Sequence, residues 1–524
     1  MIVNSLDRWV KITVAAVLVL LEYVVRLWVS LILRVFPASL FRRLLSLLPT
    51  TNKQAEADPD CDRSTPEIVN AKGYPCEEHN VETPDGWILG LHRIPHGRAG
   101  DRPGVKKPVV FIMHGFLQSS ESWVIRHNAE HALPMILADQ GFDVWLGNNR
   151  GNTYSHKHRK YRPDQAKYWD FSIDDFIAYD MPTSIDYVLK VTKSRSLSYI
   201  GFSQGTAQGF GCFSSNLDLA EKINLFVALA PTTTVRGFNH RIVNAMINLQ
   251  PEIVYRIFGK KAFLSTTLFW RRILTRSLFT KLMDYSNNFL FGWTGSNFLE
   301  AEKSALYNHI YSYTSVKVVA QWFQIQQSGR FQMYDDAQHT RGSGYRPYRT
   351  PVYHLANMKC PVALFYGGAD TLPNFKSLLD ELEPVYVRRE PELEHLCFMW
   401  GKDAHTTIFP DVVRLLRQYD PLVSKSRPAG APNFALTRKD SSLEFFREQH
   451  DSHNIHNGSP HHPPHKRDLS GHRDDTVQEI VGSTSDPVIN VQPETRPKSA
   501  SEHVSGSSSS LEIRPNVAEP INGH

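Results

Sequence analysis

Short runs of apolar residues recur along the middle of the chain, each closed by glycine, proline or polar residues and followed by a stretch of helical length. They are PVVFIM at 108–113, FDVWLG at 142–147, LSYIGF at 197–202, NLFVALA at 224–230 and PVALFYG at 361–367. β-Branched and aromatic residues are frequent in them and apolar–polar alternation is weak, the pattern of strands buried on both faces. Such runs alternating with helices predict an α/β fold built on a doubly wound, mostly parallel sheet. Its reactive residues should gather at the C-terminal ends of the strands. Between about residues 231 and 346 the rhythm gives way to helical, aromatic and basic text such as VYRIFGKKAFLSTTLFWRRILTRSLF, which predicts a helical cap inserted over the site.

The two ends follow other rules. Residues 12–33 (ITVAAVLVLLEYVVRLWVSLIL) are long enough to cross the roughly 30 Å hydrocarbon layer as a helix. Glu22 and Arg26 interrupt the run four residues apart and would share a helix face, where they can pair. ASLFRRLLSLL after Pro37 suits a surface helix, so the anchor is either a membrane-spanning helix or a monotopic hairpin. Arg34, Arg42 and Arg43 follow the apolar run more densely than Arg8 and Lys11 precede it, which favours a cytosol-facing body. From about residue 424 the text turns to Ser, Pro, His and charge, the composition of a disordered tail. Its irregularly spaced histidines read as solvated rather than as a metal site. The organisation expected is an anchor at 1–49, a linker at 50–65, a catalytic domain at 66–423 and a tail at 424–524.

Composition narrows the classes further. The 524 residues carry a net charge of +5 spread along the chain, without the basic stripe of a nucleic-acid binder. The five cysteines, Cys61, Cys76, Cys212, Cys360 and Cys397, are scattered, with neither disulfide-framework nor zinc spacing. The one glycosylation triplet of the reading, Asn457-Gly458-Ser459, falls in the tail, which again suits a cytosol-facing domain.

The chemistry centres on Gly201-Phe202-Ser203-Gln204-Gly205, directly after one predicted strand and before a helix-compatible stretch. A G-x-S-x-G turn of this kind lifts the serine Oγ above the sheet at a helix N-terminus, so Ser203 is the candidate nucleophile. Such a serine needs an acid and then a histidine later in the chain. Asp370 in GGADTL closes a predicted strand and is the candidate acid. His395 in ELEHLCFMWG is the candidate base, preferred over His405, which abuts the final amphipathic helix and reads as a helix-start residue. The oxyanion would take N–H groups from Gln204 and from Phe116 in the His114-Gly115-Phe116-Leu117 turn, with His114 shaping that turn rather than serving as base. Neither a metal nor a cofactor is called for.

Taken together, PDGWILGLHRIP (84–95), HGFLQSSESW (114–123), FDVWLGNNRGNTYS (142–155), YWDFSIDDFIAYDMP (168–182), GFSQG, SGRFQMYD (328–335), GGAD and EHLCFMWGKDA (394–404) resemble the acid lipases of the α/β-hydrolase fold, in matching order. The apolar N-terminal segment, NNRGN, GFSQG and FNHRIV are most similar to the yeast steryl ester hydrolases. The resemblance implies Asp370 and His395 as acid and base. It also implies steryl ester hydrolysis at a lipid droplet or the endoplasmic reticulum membrane, the plasma membrane being the other membrane in view. Cys397 departs from the family, which commonly has Asp there, and altered local hydrogen bonding is expected. The acids Asp170, Asp174 and Asp175 are expected to be structural. A triacylglycerol lipase is the alternative, because the triad is indifferent to the alcohol that leaves. A noncatalytic hydrolase-fold tether of lipid surfaces is the reading from another class.

Overall fold

The computed structural model describes residues 58–237, 251–336 and 350–424, with short stretches at 23–25, 27–28, 31, 38–45 and 47. Most of the apolar segment at 12–33 and the tail beyond 424 lie outside the described residues. Among the described residues no helix is long and apolar enough to cross a membrane.

All five predicted runs are strands of one nine-stranded sheet. In chain order the strands are β1 (Glu77–Glu82), β2 (Trp87–Ile94), β3 (Val109–Met113), β4 (Asp143–Leu146), β5 (Lys157–His158), β6 (Leu197–Phe202), β7 (Ile223–Leu229), β8 (Val362–Gly367) and β9 (Tyr386–Glu390). Across the sheet the order is β1-β2-β4-β3-β6-β7-β8-β9, with β5 beside β2. Neighbours from β4 to β9 run parallel, whereas β2 is antiparallel to β1, β4 and β5. β1, β2, β5 and β9 are not among the five predicted runs. EEHNVE in β1 buries only Val81 fully, as an edge strand can, and so lacks the apolar run that marked the others.

β3, β4, β6 and β8 are buried along their whole length. Successive side chains of a strand point to opposite faces, so one strand feeds two cores. Ile200 and Phe202 pack on one face with Leu137 of α1 (Leu133–Asp139), while Leu197 and Tyr199 pack on the other with Val188 of α2 (Met181–Thr192) and Phe210 of α3 (Gln204–Ser215). Between β7 and β8 the chain leaves the sheet and forms α4 (Pro251–Phe258), α5 (Ser265–Ile273), α6 (Arg276–Phe291), α7 (Lys303–Asn308) and α8 (Val316–Ser328). These helices fall within the interval read as a cap.

The boundary drawn at residue 66 moves back into the expected linker. Asp58 caps a 3₁₀ turn at Pro59–Asp62, His127 bonds Asp58 at 2.7 Å, and His309 next to α7 bonds the Asp60 carbonyl at 2.8 Å. The segment is tied to both core and cap by polar contacts, which leave no apolar periodicity to read.

Candidate active site

The sheet changes winding direction at β3, which has β4 on one side and β6 on the other. Loops leaving two such strands diverge and open a crevice. Met113 and Gly201 are register partners across β3 and β6, so the His114 turn and Ser203 emerge side by side.

Ser203 takes φ 50° and ψ −118°, outside the usual regions for an L-residue. Tertiary contacts must hold such a residue in place. Its N–H bonds the Leu229 carbonyl at 3.1 Å, and its own carbonyl accepts from the Thr206 hydroxyl at 2.6 Å. The flanking glycines are steric requirements. A Cβ on Gly205 would lie 2.7 Å from the Met113 carbonyl oxygen, and one on Gly201 would lie 2.8 Å from the Gly205 carbonyl.

Ser203 Oγ lies 2.7 Å from His395 Nε2, and His395 Nδ1 lies 2.7 Å from Asp370 Oδ2. A carboxylate can only accept, so Nδ1 carries the proton of the neutral ring and Nε2 is left as acceptor. The other oxygen of Asp370 accepts the Leu372 N–H at 3.1 Å. The strand-end loops bearing acid and histidine are pressed together at glycines, because a Cβ on Gly368 would meet the Pro391 carbonyl at 2.4 Å. His395 is nearly enclosed, with Phe202 tilted against it at 5.1 Å and Trp293 stacked on it at 5.3 Å and 8°. The structure thus brings Ser203, Asp370 and His395 into one hydrogen-bonded chain.

His405 stands elsewhere, its ring 3.9 Å from that of His131. His114 has Nδ1 2.8 Å from the Gly115 carbonyl, while its Nε2 accepts the Asn149 N–H at 3.2 Å. Burial pushes its pKa down to about 4, so it stays neutral and shapes the turn. The turn it shapes carries Phe116 and then Leu117 at φ 59°. Among the described residues neither the Phe116 nor the Gln204 backbone N–H has a hydrogen-bond partner. Asp174 accepts from Gln321, Tyr334 N–H and Tyr353, Asp175 caps Ser172, and Asp170 pairs with Lys317, so the three acids tie chain segments together. Among the described residues no group of His, Cys, Asp or Glu is placed to hold a metal ion. The five cysteines are free, and burial pushes the Cys397 thiol up to about 12.

Three neighbours of the site were not singled out in the sequence. Trp293 and Trp322 sit in cap text whose aromatic positions look like ordinary core. The Trp322 indole N–H reaches the Gln204 side-chain oxygen at 2.9 Å. Glu394 precedes His395, and its carboxylate accepts the Thr294 and Gly295 N–H groups at 2.7 and 3.0 Å. Only its adjacency to His395 marked it.

Residues 108–401 match the family model described as alpha/beta hydrolase fold, and residues 65–127 match a partial alpha/beta-hydrolase lipase region. Among similar proteins is the Schizosaccharomyces pombe "Probable lipase C16A3.12c", 41% identical over 71% of this chain and 83% of its own length. Human lipase member K is 35% identical over 70% of this chain and 94% of its own. Human gastric triacylglycerol lipase is 34% identical over 72% and 97%.

Proposed function

The chain belongs to the α/β-hydrolase family, among its lipases, and from that premise we propose that it hydrolyses steryl esters at a lipid-droplet or membrane surface through an acyl-enzyme on Ser203. Kinship with lipases makes it a carboxylic ester hydrolase, and the reading as a noncatalytic tether falls away.

The chemistry rests on one observation, the continuous chain Ser203 Oγ to His395 Nε2 and His395 Nδ1 to Asp370 Oδ2. Ser203 Oγ attacks the ester carbonyl and its proton passes to His395 Nε2, while Asp370 stabilises the imidazolium that forms. The oxyanion is received by the Phe116 and Gln204 N–H groups, which have no other partner among the described residues. His395 returns the proton to the departing alcohol, leaving the fatty acyl group on Ser203. Water then attacks this ester with His395 again as base, releasing the fatty acid and restoring the serine. No step requires a metal or cofactor.

The steryl alcohol rests on the resemblance of NNRGN, GFSQG and the apolar N-terminal segment to yeast steryl ester hydrolases. A broad aromatic cap suits a bulky leaving group. Similarity to gastric triacylglycerol lipase favours a second reading, triacylglycerol hydrolysis. Purified protein assayed on cholesteryl oleate and triolein separates the two, and triolein turnover without steryl ester cleavage rejects the first. Ser203→Ala, Asp370→Asn and His395→Ala should each lose activity while His405→Ala keeps it. The reverse behaviour of the two histidine variants would reassign the base. A cytosol-facing site at the endoplasmic reticulum or droplet is proposed on the segment at 12–33. A tagged protein lacking residues 1–49 should then turn diffuse, and unchanged membrane or droplet localisation would refute the anchor.

A further inference from the structure

Between α6 and α7 the cap sends a strap, residues 292–297 (GWTGSN), down onto the two loops that carry the acid and the histidine. Gly292 at φ 74° ends α6 and Gly295 at φ 62° turns the strap. The Thr371 hydroxyl, next to Asp370, donates to the Phe291 carbonyl at 2.8 Å. Glu394, next to His395, takes the Thr294 N–H and hydroxyl on one oxygen at 2.7 and 2.9 Å and the Gly295 N–H on the other at 3.0 Å. Asn297 donates to the Glu392 carbonyl at 3.2 Å and accepts the Lys402 N–H at 2.8 Å. These bonds fix one flat object against the histidine, the Trp293 indole. It stacks on the His395 ring at 8° and 5.3 Å and is backed by Phe291 at 17° and 4.1 Å.

The indole is a poor choice for mere filling. Among the described residues its N–H is buried with no partner, which costs about 1–3 kcal/mol and would be spared by an aliphatic residue such as Leu. The flat face is what remains to explain the residue. Asp370 and Ser203 hold the two nitrogens of His395 through hydrogen bonds alone, which yield more readily to motion out of the ring plane than along it, so the ring can still rock on its Cα–Cβ and Cβ–Cγ bonds. A parallel ring against one face, with Phe202 on His395 as well, removes that freedom.

We infer that Trp293 is a positioning residue for His395, held by the Glu394 clamp, so that the cap sets the orientation of the general base. The inference rests on the Ser203–His395–Asp370 reading.

The test uses the full-length protein, a soluble short-chain ester (p-nitrophenyl butyrate) and the rate of Ser203 labelling by a fluorophosphonate probe, which needs neither a lipid surface nor a large substrate. Trp293→Leu keeps apolar bulk without a flat face, and Trp293→Phe keeps a face. Misplacement of a catalytic group by about 1 Å is worth on the order of 100-fold. Trp293→Leu should therefore lose ~10–100-fold in kcat and in labelling rate with KM within about twofold, while Trp293→Phe keeps most of both. Glu394→Gln should move the same two quantities in the same direction by less. Wild-type labelling in a folded Trp293→Leu protein overturns the inference, as does a loss confined to KM or one that Trp293→Phe fails to rescue. Ser203→Ala separates the layers: if it still turns over the ester, the triad reading fails first, and if it is inert while Trp293→Leu is fully active, only the role of Trp293 falls.

Discussion

Ser203 occupies a backbone conformation that an L-residue adopts only under constraint, and the glycines beside it are part of that constraint. Gly205→Ala would drive a methyl to 2.7 Å from the Met113 carbonyl and 2.8 Å from that of His114. Neither atom is the end of a flexible side chain, so β3 and α3 must separate. A loss of about 1–3 kcal/mol is expected, as for other overpacked cores, together with strongly reduced probe labelling. Thermal unfolding and labelling of the variant check this, and wild-type values in both would reject it. This much of the site was legible, because the turn has a steric signature in a few consecutive residues. Trp293 had none, since its stack on His395 joins residues far apart in the chain.

One fastening of the cap to the sheet domain lies at the start of α7. Arg126, three residues after the HGFLQSSESW box, is 1% exposed and bonds Glu302 through Nε at 2.7 Å. It also reaches the Gly401 carbonyl at 3.1 Å, in the segment that follows His395. Removing one partner strands the other charge in a dry interior, at a cost of about 3–5 kcal/mol, whereas replacing both with apolar residues is often nearly neutral. Glu302→Ala should therefore lower the urea midpoint sharply, and Arg126→Met combined with Glu302→Leu should recover much of it. A single substitution as mild as the double would mean that the pair is not carrying the junction. Helical, aromatic text predicted the cap helices, because an amphipathic face is a local property. The edge strand β1 escaped notice for the converse reason. The same held for the turn at Pro59–Asp62, which puts a single residue, Cys61, into the core and is otherwise held by Asp58 and His309.

Across the whole molecule, buried neutral histidines set a pH limit on stability. Burial lowers His92 and His114 to about 4 from an ordinary value near 6.5. Between those values the unfolded chain binds protons that the folded protein refuses, so stability present above about pH 6.5 is lost as pH falls towards 4, by up to ~3 kcal/mol for each group. Urea unfolding at pH 7 and pH 4.5 measures the loss, and His92→Gln should shrink it by about 2 kcal/mol. An equal loss in wild type and variant would assign the acid sensitivity to other groups. By itself the sequence determined the alternation of strands and helices, the inserted cap and the serine turn, because each is written in neighbouring residues through burial period and backbone sterics. It also supplied Asp370 and His395 as candidates through their places after strands. Only the tertiary structure brought those two within 2.7 Å contacts of the chain that ends on Ser203, left His405 against His131, and laid a cap tryptophan on the base. Those relations depend on parallel strands distant in sequence being set side by side, and on polar loop contacts that carry no period to read.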